Sequence, residues 1–163
     1  MTEQRLRLTQ TIDAPVEQVW EVLTDLSRAA SRLSGIESIQ IMTSGPYAVG
    51  TRWRETRTFF GRAATEEMWV RSNDPLRSTV VEASSGGAAY ITTWRLAPHP
   101  AGEDQSTPAG TRVSVEFVAT GPDGALTSAV TAVLGPLGLR VTDKALQRDL
   151  DDIAVAAGEL AVG

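Results

Sequence analysis

Glu55, Arg57 and Glu66 are the side chains whose types and spacing best suit proton chemistry in this sequence. On a strand, Glu55 and Arg57 share one face with Trp53, because side chains alternate with a period of two. If the chain turns back tightly about Phe60-Gly61, Trp53 falls opposite Met68, Glu55 opposite Glu66 and Arg54 opposite Glu67. Two carboxylates beside a guanidinium in an apolar cavity would titrate away from their ordinary values. They could then act as acid and base, or anchor a polar group of a ligand. Burying three charges is costly, however, and exposing them is cheap. A slip of one residue turns the whole trio outward. On that balance a solvated outer ladder is the expected arrangement, and an inward trio is the catalytic alternative.

Other chemistry is poorly supplied. His99, the only histidine, lies between Pro98 and Pro100 in a polar loop expected to run to Pro108. With no cysteine in the chain, no set of converging ligands for a transition metal is in view, so neither a metal nor a cofactor is expected. Ser84-Ser85-Gly86-Gly87 precedes a strand and reads as a hairpin turn, not a phosphate loop or nucleophile elbow. The net charge is −5 and Lys144 is the single lysine, which argues against nucleic acid or an anionic membrane surface as partner. No apolar run is long enough for stable membrane insertion, and the opening residues lack the pattern of a signal peptide. A soluble, cytoplasmic protein is expected.

The elements that must position these groups follow from periodicity. The chain's 163 residues fit one domain, 1–163. Arg5 to Ile12 alternates as a half-buried strand, with Gln10 the one polar residue on the face of Leu6, Leu8 and Ile12. Asp13-Ala14-Pro15 opens a short helix carrying Val16, Val19, Trp20 and Leu23, with Asp13 as its cap and Trp20 in the core. A second helical turn spans Ser27 to Leu33, and Gly35 stops it. Strands follow over Ile36–Met42, Thr51–Phe59, Ala63–Ser72, Leu76–Ala83, Ala88–Ala97 and Gly110–Thr120. Trp69 falls on the opposite parity to Met68 and Val70, so it is expected outside. After Gly121-Pro122-Asp123-Gly124 the period becomes helical. Leu126, Val130, Val133 and Leu134 form one segment, and Leu139, Leu146, Leu150, Ile153, Ala157 and Leu160 a second stripe. Gly135-Pro136 breaks the join, as a hinge or as a static kink. This order implies an α+β fold with an antiparallel sheet of about seven strands, two short helices after the first strand, and one long C-terminal helix to cover the apolar face.

That order and its punctuation resemble the START-related helix-grip superfamily, in particular its bacterial polyketide cyclase/dehydrase-like branch. The matching words are Ile12-Asp13-Ala14-Pro15-Val16-Glu17-Gln18-Val19-Trp20 with Asp25, Val49-Gly50-Thr51-Arg52-Trp53, and Asp74-Pro75. Further on come Tyr90 to Leu96 with Pro98, Gly110-Thr111-Arg112-Val113, and Asp149-Leu150. The resemblance implies a curved sheet wrapped around the terminal helix and a pocket for a hydrophobic small molecule. It carries over no catalytic residue.

The ligand-binding wall is expected from Trp53, Met68, Tyr90, Thr92, Trp94, Val113, Val115 and Phe117, with Leu139, Leu146 and Leu150 from the helix. The expected function is a binding or carrier domain for a lipid-, sterol- or polyketide-like molecule, as a monomer or homodimer. The alternatives are a cyclase, aromatase or dehydratase using Glu55, Glu66 and Arg57, and a protein-interaction domain.

Overall fold

The computed structural model describes residues 2–59, 61–85, 87–103, 109–121 and 136–163, with the side chains of Thr2 and residues 136–139 outside that description. Strand β1 (Thr2–Ile12) leads into helices α1 (Val16–Thr24) and α2 (Ala29–Arg32). Strands β2 (Ile36–Ile41), β3 (Arg52–Phe59), β4 (Arg62–Asp74), β5 (Ser78–Ser85), β6 (Ala88–His99) and β7 (Gly110–Gly121) follow, then helix α3 (Pro136–Val162). All pairings are antiparallel, in one seven-stranded sheet of order β1-β7-β6-β5-β4-β3-β2. This is the helix-grip architecture, with the inner face of the sheet turned to α3.

The polar residue on the apolar face of β1 has a partner. Gln147 Nε2 of α3 donates to Gln10 Oε1 at 2.9 Å, so the side-chain amide joins helix to sheet. The entry to α1 is made by Pro15, whose carbonyl accepts from the Gln18 and Val19 amides at 3.1 and 3.2 Å. Asp13 is exposed and does not cap, a correction to the expected role; Pro15 itself holds the N-cap position. Val19 and Val22 are the buried residues of α1, whereas Trp20 is only half-buried at the edge of the core. Gly110 passes so close to the Ile12 carbonyl that a Cβ there would collide with backbone. One residue on, the Thr111 hydroxyl donates to the Ala14 carbonyl at 2.8 Å. The Gly110-Thr111 word is therefore a packing device that seats the β1–α1 corner on β7.

Some boundaries differ from the periodic reading. β5 begins at Ser78, because Leu76 sits at φ 68 in the left-handed region and the Arg77 amide closes a turn onto the Asp74 carbonyl at 3.0 Å. β6 continues through Pro98 to His99, which pairs with Gly110, so the histidine ends a strand instead of opening a loop. The helical segment expected over Leu126 to Leu134, and the Gly135 side of the Gly135-Pro136 join, lie outside the described residues.

The core is unevenly filled. Ile12, Val19, Val22, Val113, Val115, Leu150, Ile153 and Ala157 pack into one cluster between β1, β7, α1 and α3. Two smaller clusters lie further along the sheet, one at Ala83, Tyr90 and Ala119, the other at Trp53, Val70 and Val81. Space remains between these clusters and α3.

Candidate functional site: a charged cluster in an apolar cavity

A cavity of about 750 Å³ lies between the inner faces of β3–β6 and helix α3. Its aromatic surface comes from Tyr47, Trp53, Phe59, Tyr90, Trp94 and Phe117. Tyr90 and Phe117 stack at 6.0 Å between ring centroids, and Tyr47 tilts against Trp53 at 6.5 Å. Leu23, Leu26, Leu33, Ile36 and Ile39 extend the wall from the α1–α2–β2 side, and Val141, Ala145, Leu146 and Ile153 from α3. A second depression, of about 840 Å³, lies over Ile12 and the last turns of α3. Val155 and Val162 at its lining are exposed, so it is a surface groove remote from the charged cluster.

The β3–β4 hairpin settles the orientation of the trio. Trp53 pairs with Met68, Glu55 with Glu66 and Arg54 with Glu67, and Gly61 takes φ 74 in the turn. Trp53 and Glu55 are buried, Arg57 and Glu66 are half-buried, and all four line the cavity. The expected outer ladder is thus corrected: the trio points inward. The ladder outside is made of other charges. There Arg52 bonds Glu67 at 2.5 Å and stacks over Trp69 at 5.1 Å, on the outer face anticipated for that tryptophan.

Arg57 has a second acidic partner that the candidate set lacked. Asp149 of α3, 4% exposed, accepts from both terminal nitrogens of Arg57 at 3.1 and 2.9 Å. Arg57 Nε donates to Glu55 Oε1 at 2.6 Å, and Trp53 Nε1 donates to Glu55 Oε2 at 3.2 Å. The guanidinium is satisfied on both edges by carboxylates, which meets the cost of burying it. Desolvation works against the Arg57 charge, but Asp149 and Glu55 outweigh it and hold the group further above its ordinary value. Burial raises the Asp149 carboxyl against the opposing pull of Arg57. A signal for Asp149 was present: it shares a helix face with Leu146, Leu150 and Ile153, and an acid on an apolar stripe calls for a buried partner.

Glu66 differs from its neighbours. Burial and then the Glu55 charge raise its carboxyl, with Arg57 pulling the other way, and no hydrogen bond contributes. Burial and the Glu66 charge also push Tyr90 up to about 12, so its phenol keeps its proton at neutral pH. Tyr47 is likewise raised to about 12 by burial, and its hydroxyl lies 2.7 Å from that of Thr79. The cavity therefore holds one ion-paired cluster, one carboxylate outside the pairing, and two protonated phenols.

The family model described as polyketide cyclase/dehydrase and lipid transport matches residues 3–157. The chain belongs to this family. No curated protein matches it. Among solved structures it is similar to TTHA0849 from Thermus thermophilus, with 19% identity, TM-score 0.75, and coverage of 97% of this chain and 99% of that one. It is similar to the di-domain ARO/CYC protein BexL, with 19% identity and TM-score 0.69, over 99% of this chain and 50% of that one. A Thalictrum flavum norcoclaurine synthase point mutant, in complex with a transition state analogue, aligns with 15% identity and TM-score 0.70, over 97% of this chain and 96% of that one. These likenesses are of fold.

In this polyketide cyclase/dehydrase-type chain, Trp53, Met68, Tyr90, Thr92, Trp94, Phe117 and Leu146 line the cavity. Val113, Val115 and Leu150 do not; each is fully buried in the main cluster. The side chain of Leu139 lies outside the described residues. Among the described residues no cluster suited to a metal ion is found, and no helix is long and apolar enough to cross a membrane.

Proposed function

We propose that the chain binds a hydrophobic small molecule, lipid-, sterol- or polyketide-like, within the cavity, as a carrier or binding domain. The observation that carries this reading is the cavity itself: about 750 Å³, with aromatic and aliphatic side chains over much of its wall and a charged cluster on one side. Sites of this size and character hold one drug-sized ligand and use the polar groups to orient it. The family's description, which couples cyclase and dehydrase activities with lipid transport, supports it. The protein works in the cytoplasm as a monomer or homodimer, with the small molecule as its partner in place of nucleic acid.

The test is a panel of fatty acids, sterols and polycyclic aromatic polyketides, followed by thermal shift and native mass spectrometry. A true ligand binds one-to-one and raises Tm by several degrees, since binding to the folded state alone stabilises it. A panel with no shift and only unliganded masses would overturn the reading.

Glu66 favours a second reading, a cyclase-, aromatase- or dehydratase-type enzyme. A carboxyl raised by burial, facing the cavity that the Tyr90 phenol also lines, is a suitable proton-transfer group for an enolising substrate. Glu55 and Arg57, tied to each other and to Asp149, would shape the site and take no part in proton transfer. Full turnover by Glu66→Gln would remove this version. The protein-interaction alternative calls for a filled core, and the cavity gives it no support.

A further inference from the structure

The charges around the cavity restrict what it can hold, given the small-molecule-binding reading above. Three carboxylates line it, Glu55, Glu66 and Asp149, against two guanidinium groups, Arg57 and Arg62. Arg57 is committed to Glu55 and Asp149 through three hydrogen bonds. One positive charge between two negative ones leaves that cluster negative. Arg62 sits opposite Phe59 at the end of the hairpin and is exposed, where solvent screens it. Glu66 lies further in on the same face, directly opposite Glu55, with no hydrogen-bonding partner among the described residues. Residues 122–139 contain no Lys, Arg or His, so wherever that segment lies it brings no cation.

We propose that the cavity selects an amphipathic amine, with its apolar body against Trp53, Tyr90 and Phe117 and its protonated nitrogen on Glu66. The ammonium supplies the charge that the Glu55–Glu66 pair lacks and the donors that the Glu66 carboxylate lacks. Tyr90, which lines the same cavity, offers a phenolic oxygen and a π face to the same cation. A carboxylate ligand of the same shape would meet two carboxylates with no free interior cation among the described residues to offset them.

The experiment uses naphthylethylamine, naphthylethanol and naphthylacetate, titrated into the protein at neutral pH by calorimetry. The amine is expected to bind about tenfold more tightly than the alcohol, with the carboxylate weakest. In Glu66→Gln the amine-to-alcohol ratio is expected to fall close to one. Equal or tighter binding of the carboxylate by the wild-type protein overturns the proposal, and this comparison needs no variant to fold. An unchanged ratio in Glu66→Gln overturns it too. If the alcohol binds and the amine gains nothing, the charge inference alone falls. If none of the three binds, the cavity-binding reading falls with it.

Discussion

Arg57 on β3 and Asp149 on α3 meet face to face, both terminal guanidinium nitrogens on both carboxylate oxygens, at 3.1 and 2.9 Å. The pair joins the sheet to the helix across a space that apolar packing leaves open. It also fixes Glu55, and through Glu55 the indole of Trp53, as parts of the cavity wall.

Breaking this link from one side leaves the two terminal guanidinium nitrogens without their acceptors, with Glu55 still on Nε. Asp149→Ala should destabilise the fold by about 1–3 kcal/mol, the usual cost of buried donors left unsatisfied. Arg57→Ala/Asp149→Ala should cost less than the sum of the single changes, with a coupling of about 0.5–3 kcal/mol. Urea unfolding of the four proteins measures this. Additive effects would show that the two residues act independently.

Gly35 lies against the same pair. A Cβ there would stand 2.9 Å from Arg57 Nη1 and 3.5 Å from Asp149 Oδ1. The end of an unrestrained arginine could move aside, but this one is held by three bonds. Gly35→Ala should therefore cost about 1–3 kcal/mol, in the range of overpacked sites. The cost should shrink in an Asp149→Ala background, where the guanidinium is freer to move. An equal cost in both backgrounds would place the effect in the backbone.

The sequence made the strands and their faces legible because the period of two is local. It made the Glu55–Glu66 register legible because Gly61, at φ 74, permits the tight turn that counts residues off in pairs. What covers a face is not local. Val113 and Val115 share the inner face of β7 with Phe117, yet the first two are sealed in the main core cluster and the cavity touches the third. The second acidic partner of Arg57, Asp149, lies 92 residues beyond it, so the spacing around the trio could not show that the guanidinium is tied to the helix. Tyr47, in the loop before β3, follows no period, so nothing in its spacing marked it as cavity wall.

Filling the cavity should separate ligand binding from folding. Thr92 lies mid-strand on β6, pairs with Val81 and Phe117, and lines the space. Thr92→Trp puts an indole where a ligand body would sit, without touching the ion pair. The variant should melt within a few degrees of the parent and bind any cavity ligand at least about tenfold more weakly. Undiminished binding would locate the ligand outside this cavity.

Glu66 makes stability depend on pH in a defined direction. Its carboxyl is raised above the ordinary value of 4.5, so the folded protein keeps this proton to higher pH than the unfolded chain does. The contribution is fully present below pH 4.5 and is lost as pH rises through the folded-state value. Above that window the ionised group, facing Glu55 and half-buried, costs stability. Glu66→Gln should therefore be more stable than the parent at pH 7, and the advantage should vanish as pH falls below the ordinary carboxylate range. Arg57, Glu55 and Tyr90 are the charged and titratable groups acting on or beside Glu66, and all remain in the variant. Chemical denaturation of both proteins from pH 4 to 8 gives the difference directly. A difference that stays constant across that range would show that Glu66 titrates as it does in the unfolded chain, and would deny it a role as a proton donor near neutrality.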